Sequence, residues 1–281
     1  MIEIINAGIA SSFQDLGRLG YKHLGVGRSG AADRPSHSLA NRLVGNAESA
    51  ATIETCGGLF ARLHRNVVVV VTGARGEIDV RNGSPMAING VHHLPAGAEI
   101  TLRPPHDGVR YYLAVRGGFD VEPVLGSRSF DTLAGIGPRL AGGDQVAIGP
   151  DPKTSMNTDF VSRPAWPTVI DIFEGPRRDW FTEQAWSTLA ESEFVVSPTG
   201  NRVGARLGGP VLERRESREL PSEGLVEGAI QVPPDGQPIV MLADHPVTGG
   251  YPVIAVVAPM HLPAIAQARP GTTLRFRLSI G

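Results

Sequence analysis

A chain of 281 residues, 41% hydrophobic and 19% charged, is long enough to bury a sizeable core as one large β domain or two modest ones, and its composition excludes disordered and fibrous classes. A formal net charge of −2 leaves no electrostatic footprint for nucleic acid or an anionic membrane surface. Of the 26 basic residues only Lys22 and Lys153 are lysines, which disfavours Schiff-base chemistry, and the single Cys56 excludes an intramolecular disulfide and thiolate zinc sites.

The N-terminal "MIEIINAGIASSFQDLG" has acidic and polar interruptions and no positive leader region, so a cytoplasmic protein is expected. Short Val/Ile/Leu runs, punctuated by 35 glycines and 23 prolines, predict strands at Ile2–Ile5, Val67–Thr72, Glu77–Arg81, Ile100–Arg103, Arg110–Val115 and Gln145–Ile148. Further strands are predicted at Val169–Phe173, Phe194–Ser197, Ile239–Leu242, Val253–Val257 and Thr273–Leu278. The longest apolar run, "NVVVVVTGA", has strand length and falls far below the roughly 20 residues of a membrane helix. In "GEIDVRNGSPMAING" the pair Asn82-Gly83 predicts a tight hairpin.

Helices are few. "ADRPSHSLANRLVGN" offers Asp33 as a cap, Pro35 in the first turn and Leu39, Ala40, Leu43 and Val44 on one face. "PRRDWFTEQAWSTLAES" spaces Trp180, Phe181, Ala185, Trp186 and Leu189 helically, a stripe that suits core packing, and "MHLPAIAQARPG" is a third, short helix. Three stretches, "LPAGAEITLRP", "LAGGDQVAIGP" and "ARPGTTLRFRL", each put a turn glycine just before an alternating strand, a weak internal repeat. The polar, aperiodic 151–167 segment reads as a linker between an N-terminal β-barrel subdomain, 1–150, and a C-terminal one, 168–281.

Four constellations can carry chemistry. Between Phe13 and Asn46, Gln14, Asp15, Arg18, Arg28, Ser29 and Asp33 lie in glycine-broken loops before a helix, where amides and arginines suit a phosphate or carboxylate. A cap at Asp33 and an Asp15–Arg18 pair would satisfy the same residues structurally. In "AVRGGFDVEPVLGSRSFDTLAGIG", Arg116, Ser127, Arg128, Ser129 and Asp131 surround glycines that allow either close approach to a ligand or a sheet-edge bulge. Arg202 and Arg206, four apart in "SPTGNRVGARLGGP", form either a guanidinium clamp for an anion or partners for Glu213, Glu216 and Glu219 in a solvated run.

The fourth, "LADHPVTGGYPVIA", brings Asp244, His245, Thr248 and Tyr251 together after Gln231. Asp244 and His245 can exchange protons near neutral pH, but strand neighbours point to opposite faces, so both serve one site only if the chain bends there. No phosphate-loop, nucleophile-elbow, HExxH or paired CxxC motif occurs, the adjacent His92 and His93 lack metal spacing, and no metal site is expected. Cys56 reads as a buried small thiol.

The motifs "QDLGRLGYKHLGVGRSGAADRPSHSLANRLVGN", "YLAVRGGFDVEPVLGSRS", "GPRRDWF", "GNRVGARLGGP" and "GAIQVPPDGQPIVMLADHPVTGGYPVIAVV", with a "PG" near the C-terminus, resemble in this order one family. It is variously called allophanate hydrolase subunit 2, KipA, the 5-oxoprolinase C subunit and biotin-dependent carboxyltransferase, and the resemblance covers nearly the whole chain. It implies a mainly β, cyclophilin-like β-barrel architecture with two related barrel subdomains and a few short helices. It also implies a KipI-like subunit-1 partner, and for many members a LamB/YcsF-like third subunit, in a cytoplasmic hetero-oligomer acting as an ATP-dependent 5-oxoprolinase.

In that reaction ATP, with Mg, would phosphorylate the lactam oxygen and water would open the ring to L-glutamate. The alternatives implied are the carboxyltransferase half of a biotin-dependent, urea carboxylase-like enzyme, with biotin supplied on another carrier, and a regulator that binds a KipI-like protein. By motif, the resemblance points to Asp244, Thr248, Tyr251 and Asp33 as catalytic, and to Gln14, Asp15, Arg18, Ser29, Arg128, Ser129, Arg202, Arg206 and Gln231 as binding substrate or phosphate. Asp244 is the expected proton-transfer group. The chain departs from the family pattern at Ala32, at Ala205, and in "DHPVTGG", where His245 and Pro246 replace an arginine-glutamine pair, which puts substrate identity in question.

Overall fold

Every strand predicted from the aliphatic runs is present in the computed structural model, which describes residues 1–156, 161–162, 165–216 and 218–279. Two units divide the chain: Met1–Arg18, Ser29–Asp131 and Gly135–Pro164 form the first, and Leu19–Arg28, Thr132–Ala134 and Ala165–Gly281 the second. The predicted linker, 151–167, lies partly outside the described residues. Within it, Asp151 accepts from Arg116 Nε and Nη2 at 3.1 and 2.7 Å, while Arg116 Nη1 donates to the Val44 carbonyl at 2.8 Å. The guanidinium read as a possible ligand grip therefore ties this segment to the end of a helix.

In the first unit the strands are β1 (Ile2–Asn6), β2 (Ser12–Gln14), β3 (Thr52–Thr55), β4 (Phe60–Leu63), β5 (Val67–Arg75), β6 (Ile78–Arg81), β7 (His92–Leu94), β8 (Glu99–Leu102), β9 (Asp107–Val115), β10 (Phe119–Asp120) and β11 (Gln145–Ile148). They form two sheets, ordered β10-β11-β1-β4-β8-β6 and β2-β3-β9-β5-β7. Ile2, Ile4, Leu63, Ile100 and Leu102 of one meet Ile53, Val69, Val71, Leu113 and Val115 of the other in a single core. Helix α1 (Arg34–Leu43) covers the outer face of the second sheet, where Ala40, Leu43 and Val44 pack on Val70, Tyr112 and Ala114. That arrangement explains the unbroken valine run: β5 is buried on both faces, and each such side chain contributes roughly 1.5–3 kcal/mol. As predicted, Asp33 caps α1, accepting from Ser36 N at 3.1 Å.

The hairpin expected at Asn82-Gly83 does not form. Asn82 does take a positive φ of 54°, but β6 pairs antiparallel with β8, and residues 84–91 carry the chain to β7, which pairs with β5 in the other sheet. Pro85, which has no N–H to give a returning strand, fits that crossing.

The second unit contains β12 (Val169–Glu174), β13 (Glu193–Val196), β14 (Gly204–Gly208), β15 (Glu223–Gly224), β16 (Ala229–Gln231), β17 (Ile239–Met241), β18 (Thr248–Gly249), β19 (Val253–Val257) and β20 (Thr273–Leu278). Seven of these close a barrel in the order β12-β19-β16-β17-β14-β13-β20, with the parallel β20–β12 pairing as its seam, while β15 and β18 form a separate ribbon. Period-two alternation fills the interior: Ile170, Ile172, Phe194, Val196, Ala205, Leu207, Leu274 and Phe276 are buried, whereas Val169, Glu193, Val195, Arg206, Thr273 and Arg275 are exposed. The closed barrel thus belongs to the second unit; the first unit's strands form two open sheets packed face to face.

Helix α2 (Glu183–Glu191) starts later than the aromatic stripe suggests, because Thr182 caps it by accepting from Ala185 N at 3.0 Å. Trp180 therefore ends a 3-10 turn, Phe181 is extended, and both lie in the barrel core. The third predicted helix is a 3-10 turn at Pro259–His261 running into α3 (Leu262–Gln267). The weak repeat is a real local device. Gly97, Gly143 and Gly271 take φ of 84°, 93° and 86°, and each stands two residues before β8, β11 or β20.

Candidate functional site

In the first unit the loop after β2 and the segment 127–130 are bound together around one carboxylate. Asp15, 6% exposed, accepts from Ser127 Oγ at 2.7 Å, Ser129 Oγ at 2.5 Å, Arg128 N at 2.6 Å and Gly17 N at 2.8 Å. Burial alone would push this carboxyl up, but the donors from Ser129, Ser127, Arg128 and Gly17 together hold it below its ordinary value. Gln14 Nε2 donates to the Phe130 carbonyl at 2.9 Å, Arg18 Nη2 donates to the Ser129 carbonyl, and Arg128 Nε donates to the Val121 carbonyl at 2.7 Å. Gly30, at φ 94°, lets the chain beside Ser29 press onto this loop: a Cβ there would stand 2.8 Å from Gly17 N. Gln14, Asp15, Arg18, Ser29, Arg128 and Ser129 are thus brought together, with Asp15 at the centre.

Asp33 lies in a second buried network, which adds Glu54 and Arg110, outside the quoted motifs, to Tyr112 and Ala32, which lie within them. Tyr112 Oη accepts from Asp33 N and donates to Glu54 Oε2, both at 2.8 Å; Ala32 N also donates to Glu54 Oε2, and Arg110 Nε stands 3.3 Å from Glu54 Oε1. Burial, then the charges of Glu54 and Asp33, push the Tyr112 phenol well above its usual range. A carboxylate inside the apolar alternation of "ATIETC" is the signal that marks Glu54.

His37 is fully buried nearby, Nδ1 2.9 Å from Thr52 Oγ1 and Nε2 2.8 Å from the Glu48 carbonyl. Burial lowers its pKa, against a smaller upward pull from Glu48 and the charges of Asp15 and Glu54. An unfolded histidine titrates near 6.5, so below about that pH the unfolded chain takes up a proton that the folded one refuses. Stability is therefore expected to fall as pH drops from about 7 toward 5. Denaturant unfolding across this range should show a shallower fall for His37→Gln; identical slopes would mean that His37 is not the titrating group.

In the second unit Asp244, with no exposed surface, receives Arg202 Nε and Nη2 at 2.8 and 2.9 Å in a bidentate pair. Thr132 N and Oγ1 add two more donors to Oδ2, at 3.0 and 2.7 Å. Thr132 is unremarked in the sequence. Arg202 leads into β14, and the Asp244 amide donates back to its carbonyl at 3.0 Å. Arg206, two residues into β14, is exposed, so the two arginines do not form a clamp.

The bend that "LADHPVTGG" required is present: His245 N donates to the Leu242 carbonyl at 3.0 Å, closing a turn. His245 Nδ1 faces the Pro246 carbonyl at 2.7 Å, which makes Nδ1 the protonated nitrogen. Burial lowers the pKa of this imidazole; the Pro246 bond and the charges of Glu227 and Asp244 oppose that, and Lys22 adds to it. Gln231 Nε2 donates to the Tyr251 carbonyl at 2.9 Å, leaving the Tyr251 ring half-exposed, with the Arg214 guanidinium 5.9 Å from its centroid. Thr248 is exposed on the β15–β18 ribbon, paired with Gly224. Cys56 is half-buried after β3 and belongs to neither cluster.

A family model described as carboxyltransferase domain, subdomain A and B, matches residues 24–278. The C subunit of the Escherichia coli 5-oxoprolinase is 38% identical over 283 residues, covering 98% of this chain and 90% of that protein. The crystal structure of TTHA0988 superposes with a TM-score of 0.88 at 34% identity, over 98% of this chain and 55% of the other. That of the Kluyveromyces lactis urea carboxylase gives 0.87 at 29% identity, over 99% of this chain but 27% of the other. The chain thus spans nine-tenths of the bacterial relative and a smaller share of the two larger structures. A match that begins at Leu24, the end of the 3-10 turn Lys22–Leu24, and runs through both units to Leu278, the end of the last barrel strand, places this chain in the carboxyltransferase-domain family, subdomains A and B.

Proposed function

We propose that this chain is one subunit of an ATP-dependent 5-oxoprolinase, converting 5-oxoproline, ATP and two waters to L-glutamate, ADP and phosphate. The observation that carries this reading is the 38% identity to a 5-oxoprolinase C subunit over nearly the full length of both chains. A lactam is a stable amide, and O-phosphorylation makes its ring carbon electrophilic enough for water. Such chemistry needs a grip for the substrate carboxylate and a group that moves protons. The complex holds ATP with Mg in the cytoplasm, and this chain works beside a KipI-like subunit and a LamB/YcsF-like one.

Asp15 and Asp244 each hold four donors from their own unit, so in this reading both set the shape of their loops and the chemistry falls to groups beside them. Thr248, Tyr251 and Arg206, exposed on the second unit, are available to substrate or partner. Co-expression with the candidate partners, followed by ATP-hydrolysis assays with 5-oxoproline, urea and allophanate in parallel, tests the assignment. Turnover dependent on 5-oxoproline, seen only with all partners, is expected; turnover by the chain alone would refute the subunit role. A second reading, the carboxyltransferase half of a urea carboxylase, is favoured by the likeness to the Kluyveromyces lactis enzyme and predicts instead biotin- and urea-dependent turnover.

A further inference from the structure

The turn at Leu242–His245 leaves one basic nitrogen with no hydrogen-bond partner among the described residues. His245 is 4% exposed, and its Nδ1 is engaged with the Pro246 carbonyl at 2.7 Å, so its second nitrogen, Nε2, carries the lone pair. Among the described residues the hydrogen bond to the Pro246 carbonyl is the one seen for this imidazole, and it engages Nδ1 and not Nε2. Asp244, next in the chain, is in the opposite condition: Arg202 and Thr132 give its carboxylate four hydrogen bonds. A base that must accept a proton during a reaction needs a free lone pair, and here the imidazole has one.

The neighbouring elements add charge. Leu225 N donates to the Val247 carbonyl at 2.8 Å, and Lys22 Nζ stands 3.5 Å from the Leu225 carbonyl, so the 3-10 turn at Lys22 and the segment after β15 both flank the His245–Thr248 stretch. The charged groups acting on His245 are Lys22, Glu227 and Asp244, the last neutralised by Arg202. A neutral imidazole with an ammonium near it suits attack of water on a carbonyl carbon in an anionic substrate.

We propose, resting on the 5-oxoprolinase reading, that His245 Nε2 is the proton acceptor for water in lactam opening, with Lys22 as the adjacent cation and Asp244 a positioning residue that holds the bend. In the step, an O–H bond of water breaks, its proton passes to Nε2, and the oxygen bonds to the ring carbon activated by ATP. The C–N bond then breaks, and the imidazolium returns the proton to the departing ring nitrogen, which leaves as the amine. The second water hydrolyses the remaining acyl phosphate to glutamate and phosphate. Because burial keeps His245 neutral to lower pH than an ordinary histidine, the acid limb of kcat/KM lies below about 6.5.

The test uses the assembled complex, with 5-oxoproline-dependent ATP hydrolysis followed from pH 5 to 8 for the wild type, His245→Gln and His245→Ala. A loss of about 10²–10⁴-fold in kcat is expected for both variants, with the acid limb gone from the residual rate. Free imidazole should restore part of the rate to His245→Ala, which a merely structural role would not allow. Thermal melts of the variants identify any loss due to unfolding, and diethyl pyrocarbonate labelling of the folded wild-type chain reads Nε2 directly: labelling at His245 supports a free nitrogen, and resistance overturns it. A wild-type complex active on 5-oxoproline whose variants keep its rate and acid limb overturns the role of His245 alone. A wild-type complex inactive on 5-oxoproline but active on urea overturns the oxoprolinase reading, and the lactam step with it.

Discussion

Arg202→Ala is expected to cost the second unit about 3–5 kcal/mol, because it leaves a fully buried carboxylate at Asp244 without its bidentate partner. Against a total stability of roughly 5–15 kcal/mol for a typical domain, such a loss leaves the barrel marginal. Asp244→Ala should cost a similar amount by stranding the guanidinium. The two losses should not add: once one charge is gone, removing the other relieves the penalty, so Arg202→Leu with Asp244→Leu should recover much of the stability. Thr132→Val, which deletes one hydroxyl donor to the carboxylate, should cost about 1.5–3 kcal/mol. Denaturant unfolding of the wild type, Arg202→Leu, Asp244→Leu and the Arg202→Leu/Asp244→Leu double gives the coupling directly. Additive losses, or an Arg202→Ala protein within about 1 kcal/mol of wild type, would mean that the pair does not carry this load. The outcome also bears on mechanism: if activity falls in step with the folded fraction across these variants, Asp244 positions the bend and does not itself move the proton.

The architecture was legible wherever period and punctuation agreed. The alternating runs at Val169, Phe194 and Thr273 became barrel strands because one face met a filled interior, and the "VVVVV" run was recognisable as core. What escaped were strands too short or too polar to show a period, such as Ser12–Gln14, Thr52–Thr55 and Ala229–Gln231, whose pairing is imposed by longer neighbours. The Asn82-Gly83 hairpin failed for a related reason. Turn chemistry sets the local φ, but the choice of partner strand is a tertiary matter, and β8 won it.

Which of the singled-out residues lie together was partly legible, and what each one does was not. Residue types and motif order single out Asp15, Ser129, Arg202 and Asp244, which form one pair in each unit, Asp15 with Ser129 and Arg202 with Asp244. Whether a carboxylate is available for chemistry depends on how many donors already face it, and those donors come from distant chain. Ser127 and Ser129 lie more than 110 positions from Asp15, and Thr132 lies 112 from Asp244. Likewise, the free nitrogen of His245 depends on the Pro246 carbonyl capturing the other one, a geometry no spacing reveals.

Asp15→Asn is expected to cost the first unit about 3 kcal/mol or more. Four donors converge on the carboxylate, and an amide would present a donor of its own to at least one of them while losing the charge that strengthens the rest. The pH dependence follows from the sign of the shift. The Asp15 carboxyl is held below its ordinary value, so its contribution is full above the unfolded value of about 3.9 and is lost as pH falls through the lower, folded one. Acid unfolding of Asp15→Asn should therefore lack part of the wild-type steepness below about pH 4. Ser129→Ala should be costly in the wild type and much cheaper in the Asp15→Asn background, since the serine's main acceptor has then lost its charge. Equal costs of Ser129→Ala in both backgrounds would sink the idea that Asp15 organises this loop. If the coupling holds, then Gln14, Arg18, Arg128 and Ser129 owe their arrangement to one internal anion, and a substrate bound in the first unit would contact the surface they shape without displacing Asp15 from its donors.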